Sequence, residues 1–293
     1  MRVLVTGAGG QLGTALRESA GAPVTGDEWL FTDLAEVAGL TESLNITDRG
    51  AVDEFIGRRR PDVVVNCAAF TDVDRAETER GAAYLVNRDA PRFLAGAAVR
   101  VGAAMIHVST DFVFDGNGSR PYTEDDRPAP LNVYGESKLA GERAVMESGV
   151  RGAVVRTSWL YSPWGKNFVK AILRAAGAND TIRVVADQSG CPTSALSLAG
   201  AIVDMIPELG EMGLFHFCDA GTVSRADFAV EIIRQAGLSC RVVPVGSDEY
   251  PSPARRPIYS ALDTAKITRT FGIAPRPWQE PLAGCIKTLK DGR

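Results

Sequence analysis

Short apolar runs alternate with helical stretches through the first 160 residues. Arg2–Thr6, Trp29–Thr32, Asp62–Asn66, Ala103–Ser109 and Ala153–Thr157 read as strands. Gln11–Ser19, Thr47–Arg60, Tyr84–Val101 and Val133–Ser148 read as the helices between them. Strands this apolar need cover on both faces, and strand–helix alternation supplies it. The expectation is an α/β chain with a Rossmann-type, doubly wound parallel sheet. After Arg156 the pattern loosens into shorter elements mixed with glycine, proline and aromatic residues. Leu214–Cys218 reads as a strand and Arg225–Ala236 as a helix capped by Ser224. Ala195–Ile206 reads as a helix that returns to the first lobe.

The first strand runs directly into Thr6-Gly7-Ala8-Gly9-Gly10-Gln11-Leu12-Gly13, which opens the first helix. Glycines suit this place for three reasons: a tight turn, a close approach of backbone to a pyrophosphate, and close packing of helix on strand. The helix start adds free N–H groups and a positive dipole end. Gly7, Gly10, Gln11, Leu12 and Gly13 are therefore candidate dinucleotide contacts. Asp33 lies 20 residues past Gly13, at the end of the second strand, where a carboxylate can accept from adenosine ribose hydroxyls. Asn45 and Ile46 are placed to line an adenine. Ala68 and Ala69 are small enough for a cofactor to lie across the sheet edge. Residues 1–157, with a returning segment near 183–212, read as the dinucleotide-binding lobe. Residues 158–182 and 213–293 read as a smaller, discontinuous α/β substrate lobe.

Composition excludes several function classes. A net charge of −4 with no basic cluster argues against nucleic acid and anionic membranes as partners. No apolar run approaches the roughly 20 residues needed to span a bilayer. Met1 leads straight into a strand pattern rather than a secretion signal. Five cysteines, none in a C-x-x-C pair, argue against a disulfide framework or a zinc site and for a reducing, cytoplasmic setting. The two histidines, His107 and His216, sit in apolar strand-like runs and read as packing residues.

Ser109-Thr110-Asp111 ends the fourth strand, and Tyr134-Gly135-Glu136-Ser137-Lys138 follows on a helix. Tyrosine and lysine at i and i+4 share one helix face. Reduction of a carbonyl needs a proton donor beside the developing alkoxide. A phenol, with a reference pKa of about 10, is a weak acid, and an ammonium beside it is expected to lower that value. Lys138 can also hold a nicotinamide ribose, and Thr110 can position the substrate oxygen. Thr110, Tyr134 and Lys138 are the candidate catalytic residues.

Six stretches resemble the dTDP-4-dehydrorhamnose reductase family of extended short-chain dehydrogenases/reductases. They are Asn66–Asp74, Ser109–Gly116, Pro130–Lys138, Arg156–Trp159, Asp187–Thr193 and Pro253–Pro257. The resemblance as a whole runs from residue 3 to about Trp278. The resemblance implies reduction of the C4 ketone of dTDP-4-dehydro-L-rhamnose to dTDP-L-rhamnose, with NADPH or NADH as cofactor. It implies that Tyr134, Lys138 and Thr71 touch the cofactor, that Thr71, Val73 and Thr110 line the sugar pocket, and that Trp159 packs a sugar face. Arg255 or Arg256 is expected on the diphosphate, since guanidinium matches phosphate oxygens.

Related 4,6-dehydratases carry Thr-Asp-Glu at the fourth strand end, whereas this chain has Thr110-Asp111-Phe112. A 4-epimerase fits the first lobe but not the substrate-lobe motifs. A reductase of another dTDP-4-keto-6-deoxyhexose, such as the dihydrostreptose branch, and a non-catalytic regulatory subunit of the same fold stay open. Some relatives are described as dimers bridged by magnesium through carboxylates. The corresponding positions here are Ala15 and the run Ser194-Ala195-Leu196. Magnesium wants hard oxygen ligands, so no bound metal and no metal-bridged dimer is expected.

Overall fold

The computed structural model describes residues 1–20, 27–36, 39, 41–250 and 252–292. Six parallel strands come from the first half: β1 (Arg2–Thr6), β2 (Glu28–Asp33), β3 (Glu42–Ser43), β4 (Val63–Asn66), β5 (Ala104–Thr110) and β6 (Arg151–Thr157). Helices α1 (Gln11–Ala20), α2 (Arg49–Arg59), α3 (Val73–Thr78), α4 (Arg80–Tyr84), α5 (Ala90–Val101) and α6 (Val133–Met146) lie between and after them. Alternate strand residues point to opposite faces. Val3, Val5, Val65, Ile106 and Val155 face one helical layer, and Leu4, Val64, Met105 and Val154 face the other. Fully burying one such side chain contributes about 1.5–3 kcal/mol, so both faces of the sheet need cover. This is the expected doubly wound architecture.

The second half adds β7 (Leu160–Tyr161), α7 (Phe168–Ala178), β8 (Thr181–Val185), β9 (Ser189–Gly190), β10 (Thr193–Ser194) and α8 (Ala195–Met205). It continues with β11 (Gly213–His216), β12 (Val223–Ser224), α9 (Arg225–Ala236), β13 (Arg241–Val245), α10 (Ala265–Phe271) and α11 (Gln279–Lys290). Three two-stranded ladders form, β7 with β10, β8 with β13 and β9 with β12. A second apolar core gathers Tyr161, Ile172, Phe228, Ile232, Trp278 and Leu282.

Two lobe boundaries differ from the expectation. β11 pairs in parallel with β6, so residues 213–216 are the seventh strand of the main sheet, ordered β11-β6-β5-β4-β1-β2-β3. Ile267 and Ile273 join the same core. Conversely, β8 pairs with β13, so residues 183–185 lie outside the returning segment. An apolar run announces a strand but not its partner, and here the partner decides the lobe. Helix α8 does return, packing on α1 in the core that holds Leu16, Leu198 and Ile202.

The helix expected over Tyr84–Val101 is interrupted by a π-helical turn at Leu85–Asp89. The turn brings Asn87 fully inside, where its side chain accepts from Phe70 N–H at 2.8 Å and donates to Phe70 carbonyl and to Ser137 Oγ, both at 3.0 Å. Single-turn bulges of this kind are frequent at functional sites.

Ala15 is fully buried in the core shared with α8, while Leu196 is exposed. Among the described residues, no group of three or more His, Cys, Asp or Glu could hold a metal ion. No helix among them is long and apolar enough to cross a membrane, and the five cysteines are free thiols.

Candidate active site

A cleft of about 950 Å³ runs along the carboxyl ends of the central strands. It begins at the glycine loop and ends under β7 and the start of α9. Strand ends at the point where an open α/β sheet reverses its order are where such folds bind ligands.

At the first end, Gly7 turns the chain with φ +71°, and a Cβ there would fall 2.6 Å from Ala68 backbone. A Cβ on Gly13 would fall 2.4 Å from Ala8 Cα. Both glycines are thus required for strand–helix packing, while the first-turn N–H groups of α1 face the cleft without intrahelical partners. Asp33 Oδ2 accepts from Gly9 N–H at 2.8 Å, and Oδ1 from Leu34 N–H at 2.7 Å. The carboxylate therefore braces the glycine loop from within the cleft. Gln11 Oε1 accepts from Ser162 Oγ at 2.9 Å and Asn167 Nδ2 at 2.8 Å, tying the loop to the second half of the chain. Asn45 Oδ1 accepts from Thr47 N–H and Thr47 Oγ, which leaves its amide N–H₂ toward the cleft. Ile46, Ala68, Ala69, Thr71 and Val73 line the same space. This constellation of glycines, a helix start and a ribose-level carboxylate fits a dinucleotide.

Thr110, Tyr134 and Lys138 meet in the middle of the cleft. β5 delivers Thr110 at its last residue, and α6 delivers the other two. Asn132 caps α6 by accepting from Gly135 N–H at 2.8 Å, which fixes where Tyr134 starts its turn. Thr110 Oγ1 donates to Asp111 Oδ1 at 3.0 Å and accepts from Phe112 N–H at 3.2 Å. The Tyr134 phenol lies beside Thr110 and meets the Phe112 ring edge-on at 5.7 Å. Lys138 Nζ donates to the Val108 carbonyl at 2.6 Å.

The electrostatics differ from the expectation. Burial pushes the Tyr134 phenol up to about 12, with the Thr110 hydroxyl opposing and the Asp111 carboxylate adding to the rise. Lys138 does not lower it, because its ammonium is turned to a backbone carbonyl. Lys138 itself is drawn down to about 8 by burial, against the Glu142 carboxylate and the Cys67 thiol. Tyr134 therefore carries its proton at neutral pH, which suits a proton donor.

At the far end, Trp159 lines the cleft in a left-handed conformation, φ +45°. A non-glycine residue there carries strain of order 1–3 kcal/mol. The guanidinium of Arg225 lies over its ring, with Cζ 3.8 Å from the centroid. One indole face is thus taken by Arg225. Arg255 and Arg256 are not among the lining residues. Arg256 Nη2 pairs with Asp74 Oδ2 at 2.9 Å, and the Arg255 carbonyl accepts from Asn132 Nδ2 at 2.8 Å. The sequence offered the Arg-Arg-Pro run but not the acidic residue 182 positions earlier that captures it. Arg225 and Asp111, both in the cleft, escaped the sequence reading. An arginine at a helix start carries no local signal, and Asp111 shows its surroundings only once Thr110, Ser260 and Arg225 converge on it.

Comparison with known proteins agrees with this geometry. The family model for the RmlD substrate binding domain matches residues 1–291. The chain is 40% identical over 291 residues to the dTDP-4-dehydrorhamnose reductase of Sinorhizobium fredii, covering 96% of this chain and 95% of that one. The solved dTDP-4-dehydrorhamnose reductase of Clostridium acetobutylicum superposes with a TM-score of 0.93 at 40% identity, over 99% of this chain and 100% of that one. The Bacillus anthracis reductase, solved in complex with NADP, superposes with a TM-score of 0.90 at 37% identity, over 98% of each chain. With the fold, the motifs and the near full-length matches in agreement, the chain belongs to the dTDP-4-dehydrorhamnose reductase family.

Proposed function

We propose that this protein reduces the C4 ketone of dTDP-4-dehydro-L-rhamnose to dTDP-L-rhamnose, with NADPH or NADH. The observation that carries the reading is the meeting of Thr110, Tyr134 and Lys138 in one cleft with the glycine loop at its end. Similarity to reductases over nearly the whole chain supplies the substrate. The reduced nicotinamide, when bound, supplies the hydride. The protein's own residues do the rest. Tyr134, protonated at neutral pH, gives its proton to the C4 oxygen. Thr110 holds that oxygen, which requires its hydroxyl to turn from Asp111. Lys138 orients the nicotinamide ribose, and the phenolate left behind recovers its proton from solvent. Asp33 faces the adenosine ribose, and NADH is accepted along with NADPH. We assign residues 1–157, 195–216 and 265–273 to the dinucleotide lobe and the remainder to the sugar lobe. The free cysteines are in keeping with a cytoplasmic enzyme.

The test is product analysis with dTDP-4-keto-6-deoxyglucose, a 3,5-epimerase and either dinucleotide. dTDP-rhamnose is the expected product. Turnover without the epimerase would instead identify another sugar branch, and no dinucleotide oxidation would identify a regulatory subunit. Tyr134→Phe should lower kcat by about 10²–10⁴-fold, the usual worth of a general acid, while dinucleotide Kd stays unchanged. A variant that keeps most of its kcat removes Tyr134 from the role.

A further inference from the structure

Arg225 is the first residue of α9 and its side chain lines the cleft. Its position is rigid. Ser224 caps the helix by accepting from Asp227 N–H at 3.0 Å, and Arg225 N–H is bonded to the Gln188 carbonyl at 3.0 Å. The guanidinium is stacked on Trp159 at 3.8 Å and flanked by Phe168 at 5.1 Å. Trp159 cannot retreat, because a Cβ on Gly190 would already fall 2.7 Å from its ring. Yet the guanidinium has no hydrogen-bond acceptor and no ion pair among the described residues. Asp111 acts on it only through space, and Arg256 repels it. Burial draws its pKa down to about 10, with Asp111 opposing and Arg256 adding.

A half-buried cation without an acceptor is costly, and a stacked guanidinium still offers its planar fork edge-on. That fork matches two oxygens of one phosphate. The opposite end of the cleft has the start of α1 for the phosphates of a dinucleotide. Arg225 stands instead beside Asp111, the partner of Thr110, at the end left for the reacting substrate.

We propose that Arg225, backed by Trp159, is a substrate-specificity residue that takes a phosphate of the nucleoside-diphosphate sugar in a bidentate contact. The assignment rests on the reading of the chain as a nucleotide-sugar reductase. It moves the phosphate contact from Arg255 and Arg256, neither of which lines the cleft, to a residue that does.

Calorimetric titration of the full chain, Arg225→Met and Arg225→Lys with thymidine diphosphate, uridine diphosphate and thymidine tests it. Arg225→Met should bind thymidine diphosphate about ten- to hundredfold more weakly, the worth of a hydrogen bond to a charged group. Thymidine, which lacks phosphate, should bind all three proteins alike. Arg225→Lys should recover part of the loss, since the charge remains without the fork. Unchanged NADPH affinity reports that the fold and the neighbouring site are intact. Equal affinity of Arg225→Met and parent for thymidine diphosphate overturns the proposal, as does an equal loss of thymidine and its diphosphate. A parent that prefers uridine diphosphate, bound about ten- to hundredfold more weakly by Arg225→Met, keeps the role of Arg225 and overturns the thymidine reading. A parent that binds neither diphosphate overturns both.

Discussion

Asp111 is 2% exposed, and burial pushes its carboxyl up to about 6, against hydrogen bonds from Ser260 and Thr110 and the Arg225 charge. An unfolded aspartate titrates near 3.9. The folded state therefore favours the protonated form. The stabilisation this gives is complete below about pH 4 and is lost as pH rises through about 6. Asp111→Asn removes the titration. The stability difference between variant and parent should then shift toward the variant by about 2 kcal/mol on going from pH 4.5 to 7.5. Urea unfolding at the two values measures it. Asp219, also raised to about 6 by burial, is present in both proteins and cancels. Parallel changes in parent and variant would mean that Asp111 is not desolvated as its contacts indicate.

Helix α6 carries Tyr134 and Lys138, and its seat is set by two glycines. A Cβ on Gly135 would fall 2.2 Å from the Phe112 carbonyl, and one on Gly141 would fall 2.0 Å from the Asn87 carbonyl in the π-helical turn. The helix thus lies backbone against backbone on the segment that expectation drew as a continuous helix. Gly141→Ala should destabilise the protein by about 1–3 kcal/mol, the usual cost of overpacking. It should also lower kcat by up to about a hundredfold, because a shift of α6 displaces the tyrosine and lysine together. Gly57→Ala in α2 is the contrast, since nothing lies within 4 Å of its added Cβ. That change should stabilise by up to about 1 kcal/mol through helix propensity alone. Thermal unfolding of both variants with steady-state rates distinguishes the cases. Equal effects would show that the α6 contact is looser than drawn. The i, i+4 spacing of Tyr134 and Lys138 was legible because it is local. The π-helical turn was not, because its cause is a buried asparagine bonded to Phe70 and Ser137.

The buried Arg156–Glu142 pair joins three elements. Arg156 Nε donates to Glu142 Oε1 at 2.8 Å and Nη2 to Oε2 at 2.7 Å, with both side chains 2% exposed. His216 on β11 lies 3.4 Å from Nη1, with its pKa drawn down to about 3 by burial and the adjacent Arg156. Helix α6, β6 and the seventh strand are thereby held in one register. Arg156→Met leaves the Glu142 carboxylate buried and alone, which should cost about 3–5 kcal/mol. Replacing Glu142 by Leu in the same protein should recover much of that loss, since an apolar pair of similar volume is often neutral. Denaturant unfolding of single and double variants gives the coupling. A single-variant cost below about 1 kcal/mol would place the pair among ordinary surface contacts.

Strand alternation, the glycine loop, the strand-end threonine and the Tyr134–Lys138 pair were determined by the sequence itself. Each is a short-range pattern, fixed by a period of two or of 3.6 or by neighbours within eight residues. The three-dimensional fold decided what depends on distant partners. It placed β11 beside β6 rather than in the smaller lobe, and it gave Arg256 to Asp74. It also turned Arg225 onto Trp159, 66 residues away in sequence, and closed Thr110 onto a desolvated Asp111. Local residue types do not encode which charge remains without an acceptor after packing, and in this cleft that question decides which arginine faces the ligand.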